Sequence, residues 1–143
     1  MRILIDADSC PVLDIAQEIA RKNDVELLIF ADLNHNLTIN YGQKIVVDQK
    51  SQSVDMKIFN MCKPGDIVIT QDYGLASLVL GKEAIPVSTK GKIFSDNNIK
   101  YLLMRRHNNA KIRRATGRHH SHKKRQKKDD LKFEKILKKL IKI

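Results

Sequence analysis

At 143 residues the chain has the size of one ordinary domain. It can bury roughly two-thirds of its unfolded surface, so it needs no covalent or metal staple to hold a core. Its two cysteines, Cys10 and Cys62, sit in no CxxC or Cys/His spacing, which excludes a disulfide framework and a zinc module. The formal charge of +11 averages two unlike parts. Residues 1–90 carry 9 Lys and Arg against 12 Asp and Glu, a formal −3, and residues 91–143 carry 18 against 4, a formal +14.

The first apolar run, Arg2-Ile3-Leu4-Ile5, does not alternate and reads as a buried strand ending in Asp6-Ala7-Asp8. Ser9-Cys10-Pro11 looks like a helix start with Pro11 at the first helical position. Val12, Ile15, Ala16, Ile19 and Ala20 then recur at helical spacing to about Lys22. Residues 26–31 are a second strand and 44–48 a short third one. Val54 to Cys62 is a helix with Val54, Ile58, Met61 and Cys62 inward. Lys63-Pro64-Gly65-Asp66 is a turn, in which Asp66 has only a turn residue's role.

Ile67 to Thr70 is a fourth buried strand, followed by Gln71-Asp72. Tyr73 to Leu80 is helical with Leu75, Leu78 and Val79 inward, and Gly81 is its end cap. Residues 84–87 form a fifth strand, which Pro86 places at an edge. Ser95-Asp96 opens a helix burying Ile99, Leu102 and Leu103. Beyond it, apolar residues become scarce, so residues 107–128 are expected to be a basic, flexible loop within the single domain 1–143. Phe133, Ile136, Leu137, Leu140 and Ile141 give residues 129–143 one apolar stripe, an amphipathic C-terminal helix with Asp129 or Asp130 as its cap. No apolar run approaches the ~18 residues of a membrane span. The first strand is broken at once by Asp6 and is no signal peptide, so the cytoplasm is the expected compartment. Strands alternating with helices imply an α/β domain in three layers, a mainly parallel sheet with helices on both faces.

Such sheets bind ligands beyond the carboxyl ends of their strands. Asp6 and Asp8 are two apart in extended chain and face the same way. Asp72 follows the fourth strand, and Asp55 opens the helix that leads into it. Carboxylates gathered in one crevice repel one another unless a cation lies between them. Oxygen-only donors suit Mg²⁺ or Mn²⁺. Each residue also has a plainer role: Asp8 or Asp72 as a helix cap, and Asp55 as a first-turn acid facing the helix dipole. Cys10 at a helix start is a candidate low-pKa thiol, with a packed cysteine as the preferred reading.

The stretches Asp6-Ala7-Asp8-Ser9-Cys10-Pro11-Val12, Val54-Asp55, Gly65-Asp66-Ile67-Val68-Ile69-Thr70-Gln71-Asp72, Leu75-Ala76 and Asn98-Ile99 resemble the YaiI/YqxD family of uncharacterised bacterial proteins over nearly the whole chain. That resemblance implies a PIN-like fold, that of metal-dependent nucleases. It also implies that Asp6, Asp55 and Asp72 hold the metal, with Asp8 as an added ligand. One departure stands out. Where the family carries a Gly-Pro-containing loop after Arg114-Ala115-Thr116-Gly117, this chain has Arg118-His119-His120-Ser121-His122-Lys123-Lys124.

The basic half is the footprint of a polyanion. Arg105, Arg106, Arg113, Arg114, Arg118, Lys123 and Lys124 are the candidate nucleic-acid contacts, guanidinium binding phosphate in a bidentate fork. His119, His120 and His122 read as bystanders. Three functions follow. The first is an Mg²⁺- or Mn²⁺-dependent nuclease acting on RNA or DNA through Asp6, Asp8, Asp55 and Asp72. The second is a nucleic-acid- or ribosome-binding protein without catalysis. The third, the weakest, is a phosphatase using Asp6 as nucleophile.

Overall fold

The computed structural model describes residues 1–8, 10–34, 36–48, 50, 53–116 and 124–142. Five strands, β1 (Arg2–Asp6), β2 (Glu26–Asp32), β3 (Gln43–Val47), β4 (Ile67–Ile69) and β5 (Ile85–Val87), form one sheet in the order β3-β2-β1-β4-β5. Every strand pairing is parallel. Pro86 lies on the edge strand its missing N–H requires. The helices are α1 (Leu13–Lys22), α2 (Val54–Met61), α3 (Tyr73–Leu80), α4 (Asp96–Thr116) and α5 (Lys127–Ile141).

Period-two alternation in the buried strands sends successive side chains into two cores. Ile3, Ile5, Leu27, Ile29, Ile67 and Ile69 pack against Ala16, Ile19 and Ala20 of α1 and against Phe133 and Leu137 of α5. Leu4, Leu28, Phe30 and Val68 pack on the other face against Val54 and Ile58 of α2 and Leu75 and Val79 of α3. The three layers are therefore present. α3 turns Ala76 away from the sheet, and there Phe94, Ile99 and Leu102 cover it, with Tyr73 and Phe94 in edge-to-face contact at 5.6 Å. α3 thus buries two faces, but Leu78 is 48% exposed. Its expected inward place belongs to Ala76, because the second covering layer falls on that side.

Local boundaries differ from the sequence reading in physically simple ways. α1 begins at Leu13, not at Pro11, and no side chain caps it. Gly81 ends α3 in right-handed geometry, at φ −63; the left-handed residue of that turn is Glu83, at φ 63. α5 starts at Lys127, where Asp129 reaches back to the N–H of Gln126 at 2.8 Å. Gly91, at φ +80, lies so close to α5 that a Cβ there would meet the backbone of Lys132 at 2.8 Å. This contact ties the turn after β5 to the other side of the sheet.

The largest difference concerns residues 107–116, expected in a loop but forming the second half of α4. Scarcity of apolar residues removed the packing signal, not the helix. No Gly or Pro falls between Gly91 and Gly117, and Arg, Lys and Ala are good helix formers. A helix nucleated by its packed first half then propagates outward at little cost. Arg118 and Lys123, with His119, His120 and His122, lie outside the described residues.

Asp66 is more than a turn residue. It is buried and accepts from Arg2 Nη2 at 2.8 Å, from the Lys63 N–H at 2.8 Å and from the Arg2 N–H at 3.2 Å. Arg2 Nη2 also reaches the Met61 carbonyl at 2.8 Å, so one ion pair joins β1, the end of α2 and the entry to β4. Burial pushes the Asp66 carboxyl up, but Arg2 and the Lys63 N–H outweigh it and hold the group below its ordinary range. Asp66→Ala strands the guanidinium and should cost about 3 kcal/mol, read as a lower urea midpoint. Glu134→Ala, which breaks the exposed pair with Lys138, should cost about 0.5 kcal/mol or less. The Asp66 contribution is present above the ordinary carboxylate value and fades as the pH falls through the lowered one.

Candidate functional site

The strand order reverses between β1 and β4: the chain winds outward through β2 and β3 in one direction, then through β4 and β5 in the other. The crevice beyond the carboxyl ends of β1 and β4 is where a parallel sheet opens to take a ligand. Asp6 closes β1 at this point, and its Oδ1 accepts the Asp8 N–H at 3.1 Å, which folds Asp8 back over the strand end. Asp72 stands three residues past β4. Its own N–H donates to the buried Thr70 Oγ1 at 3.0 Å, and Thr70 is tied in turn to β5 through the Val87 carbonyl at 3.1 Å. Asp72 then caps α3, its Oδ1 accepting from the N–H groups of Gly74 at 2.8 Å and Leu75 at 3.2 Å.

Asp55 enters from the first turn of α2. Ser53 does the capping there, its Oγ accepting the Met56 N–H at 3.1 Å. That leaves the Asp55 carboxyl free of the capping task, and it hydrogen-bonds Asp72 instead. The four aspartates therefore act on one another. Burial, then the hydrogen bond and charge of Asp72, then the charges of Asp6 and Asp8 push Asp55 up to about 7. Burial and the charges of Asp8 and Asp72 push Asp6 up to about 6, against the Asp8 N–H. Burial acts on Asp72 as well. There the hydrogen bond from Asp55, the two capping N–H groups and the charge of Arg106 prevail, and its carboxyl lies below the ordinary range. Their mutual hydrogen bond thus raises Asp55 and lowers Asp72.

The donor set is entirely hard oxygen. Among the described residues no group of three or more His, Cys, Asp and Glu side chains is placed to hold a metal ion. Mg²⁺ does not require one, since it is ordinarily held by one or two carboxylates and keeps several waters. Cys10 is partly buried against the α1 side of the core. Burial first, and then the charge of Asp6, push its thiol up to about 11, against the Val12 N–H and Arg125. The preferred reading of a packed cysteine holds; the low-pKa alternative fails because burial raises the thiol and Cys10 stands three residues ahead of α1.

Of the basic candidates, Arg106 is the one whose charge reaches Asp72. Arg105, Arg113, Arg114 and Lys124 are exposed. The sequence reading missed Thr70, which fixes the Asp72 backbone, and Gly74, where a Cβ would press on Asp72 Oδ1 at 3.1 Å. It also missed Ser53, whose signal was a serine directly ahead of a helical repeat.

The sequence matches the profile of the uncharacterised YaiI/YqxD family over residues 4–143. The chain belongs to that family. A UPF0178 protein of Natranaerobius thermophilus is 49% identical over 141 residues, covering 99% of this chain and 96% of the relative. One from Clostridium kluyveri is 48% identical, covering 99% and 93%, and one from Clostridium novyi is 45% identical, covering 99% and 95%. No solved structure matches the chain. Among the described residues no helix is long and apolar enough to cross a membrane.

The raised carboxyls give this YaiI/YqxD member a pH signature. A carboxyl whose folded value exceeds its unfolded one keeps a proton that the unfolded chain releases. Stability is then greatest below the ordinary value of 3.8 and falls as the pH rises toward about 7. Asp55→Asn keeps a donor for Asp72 and removes its own share of that slope, leaving the part due to Asp6. Without added metal, the variant should be more stable than the parent at pH 8 by about 1 kcal/mol, allowing for solvent screening of a half-exposed group, and nearly equal to it at pH 4. Urea titrations at the two pH values measure this.

Proposed function

We propose that this protein is a divalent-metal-dependent nuclease of PIN-like type, cutting phosphodiester bonds of RNA or DNA at the rim between β1 and β4. The observation that carries the reading is that carboxylates from three separate chain segments stand near enough at the topological switch point for their charges to raise the carboxyls of Asp6 and Asp55. Such a group lacks positive charge, and a hard divalent cation supplies it. Asp6 and Asp72, on adjoining strand ends, would hold the ion, with Asp55 and Asp8 beside them. When bound, Mg²⁺ or Mn²⁺ supplies a water of lowered pKa and offsets charge on phosphate oxygens.

The protein's own groups do the rest. Thr70 fixes the Asp72 backbone, and the Gly74 and Leu75 N–H groups of α3 fix one of its carboxylate oxygens. The Asp8 N–H fixes one oxygen of Asp6. The basic residues of α4 attract the strand. The neighbouring charges that act on Asp6 are those of Asp8 and Asp72, which favour its neutral form, the opposite of what an aspartyl nucleophile needs. A non-catalytic nucleic-acid- or ribosome-binding role remains the second reading, favoured by the exposed cations of α4.

Incubation with single-stranded RNA and Mn²⁺ should give cleavage that falls by on the order of 100-fold or more in Asp6→Asn and Asp72→Asn. Equal cleavage by parent and variants, or none by either, would overturn catalysis. Independently, Mn²⁺ should raise the Tm of the parent at pH 8, and Asp72→Asn should abolish most of that rise.

A further inference from the structure

α4 presents one face whose chemistry changes along its length. Ile99, Leu102 and Leu103 cover Ala76 and Tyr73 of α3. Continuing at helical spacing, the same face carries Arg106, Asn109, Ala110 and Arg113. Asn109 and Ala110 are still half-buried, while the residues around them are exposed. The direction of the helix follows from the turn before it. Residues 88–92 reverse the chain, Ser88 and Lys92 pairing at 2.8 Å, and Ile93 bridges Val87 antiparallel. The chain therefore descends beside β5 before α4 begins, and α4 climbs back to the carboxylate rim. Arg106, one turn past Leu102, comes within electrostatic reach of Asp72, and the residues from 107 onward are mostly exposed.

We propose that Arg106 and Arg113 form a two-point phosphate rail, seating the backbone of a single nucleic-acid strand so that it runs across the carboxylate crevice. The two lie two turns apart, about 10 Å along the axis, so they take separate phosphates. Arg105 and Lys111 lie about 100° and 140° round the helix from Arg106 and face elsewhere. Charge complementarity selects the occupant, since this face meets an acidic crevice on one side and offers two guanidinium forks to an anion on the other. The arrangement also explains how a polyanion approaches a site made of carboxylates: the cations that offset the repulsion stand at its edge. The proposal rests on the nucleic-acid part of the function above and needs no cleavage.

The test compares two double variants with the same loss of charge, Arg106→Gln/Arg113→Gln and Arg105→Gln/Lys111→Gln. Binding to fluorescein-labelled 20-nucleotide single-stranded RNA, and to DNA of the same sequence, is followed by anisotropy in EDTA across a salt series. The rail variant should bind about tenfold or more weakly, with its salt slope reduced by about 1.4, as expected for two lost single-strand phosphate contacts. The outward variant should lose less than about threefold. Both replace exposed helical residues, so each controls for the folding of the other. Equal losses in the two variants, or no binding by the parent, overturn the rail. If the contrast holds while cleavage is absent, or is unchanged by Asp6→Asn, the rail stands and the nuclease reading falls.

Discussion

Four like charges meeting at one end of a parallel sheet are the constraint around which the surrounding structure is arranged. Isolated carboxylates in a half-buried crevice would repel and splay apart. Here three of them are restrained by different local devices: an N–H donated to Asp6, a threonine and two helix N–H groups around Asp72, and a serine cap that leaves Asp55 available to Asp72. The repulsion is kept as a standing cost, and the fold that bears it is anchored elsewhere. Asp66 and Arg2 lock the opposite ends of β1 and β4, so the strand pair whose tips carry Asp6 and Asp72 is held at its base.

This division of labour makes two aspartates a few residues apart in sequence physically unlike. Asp66 and Asp72 flank the same three-residue strand. Asp66 is surrounded by donors and a guanidinium and stays ionised. Asp72 is held below its ordinary range by Asp55, by two helix N–H groups and by the charge of Arg106. One end of the strand stabilises the fold, and the other stores unfavourable electrostatics that a cation would relieve.

α4 extends the same logic outward. Its first half is a packing helix over α3, and its second half has no core to cover. A helix that continues past its packing partner holds its side chains in register at negligible entropic cost beyond propagation. That register converts a basic stretch into a directed surface, in which Arg106 and Arg113 share a face and Arg105 and Lys111 do not.

The sequence by itself determined the layered α/β plan, because unbroken apolar runs alternating with helical repeats admit little else. It placed Pro86 at an edge, put Asp6 and Asp72 at strand ends and found the Phe133–Leu137 stripe. The roles of single polar residues were illegible. Asp66 read as a turn residue and residues 107–116 as a loop, since burial, charge neighbours and helix propagation depend on what lies across the fold rather than along the chain. Only the tertiary structure decided that Asp55 acts on Asp72 and that the charge of Arg106 reaches Asp72. Pairwise electrostatics falls off within a few ångströms, and which residues come that close is set by the winding order of the strands.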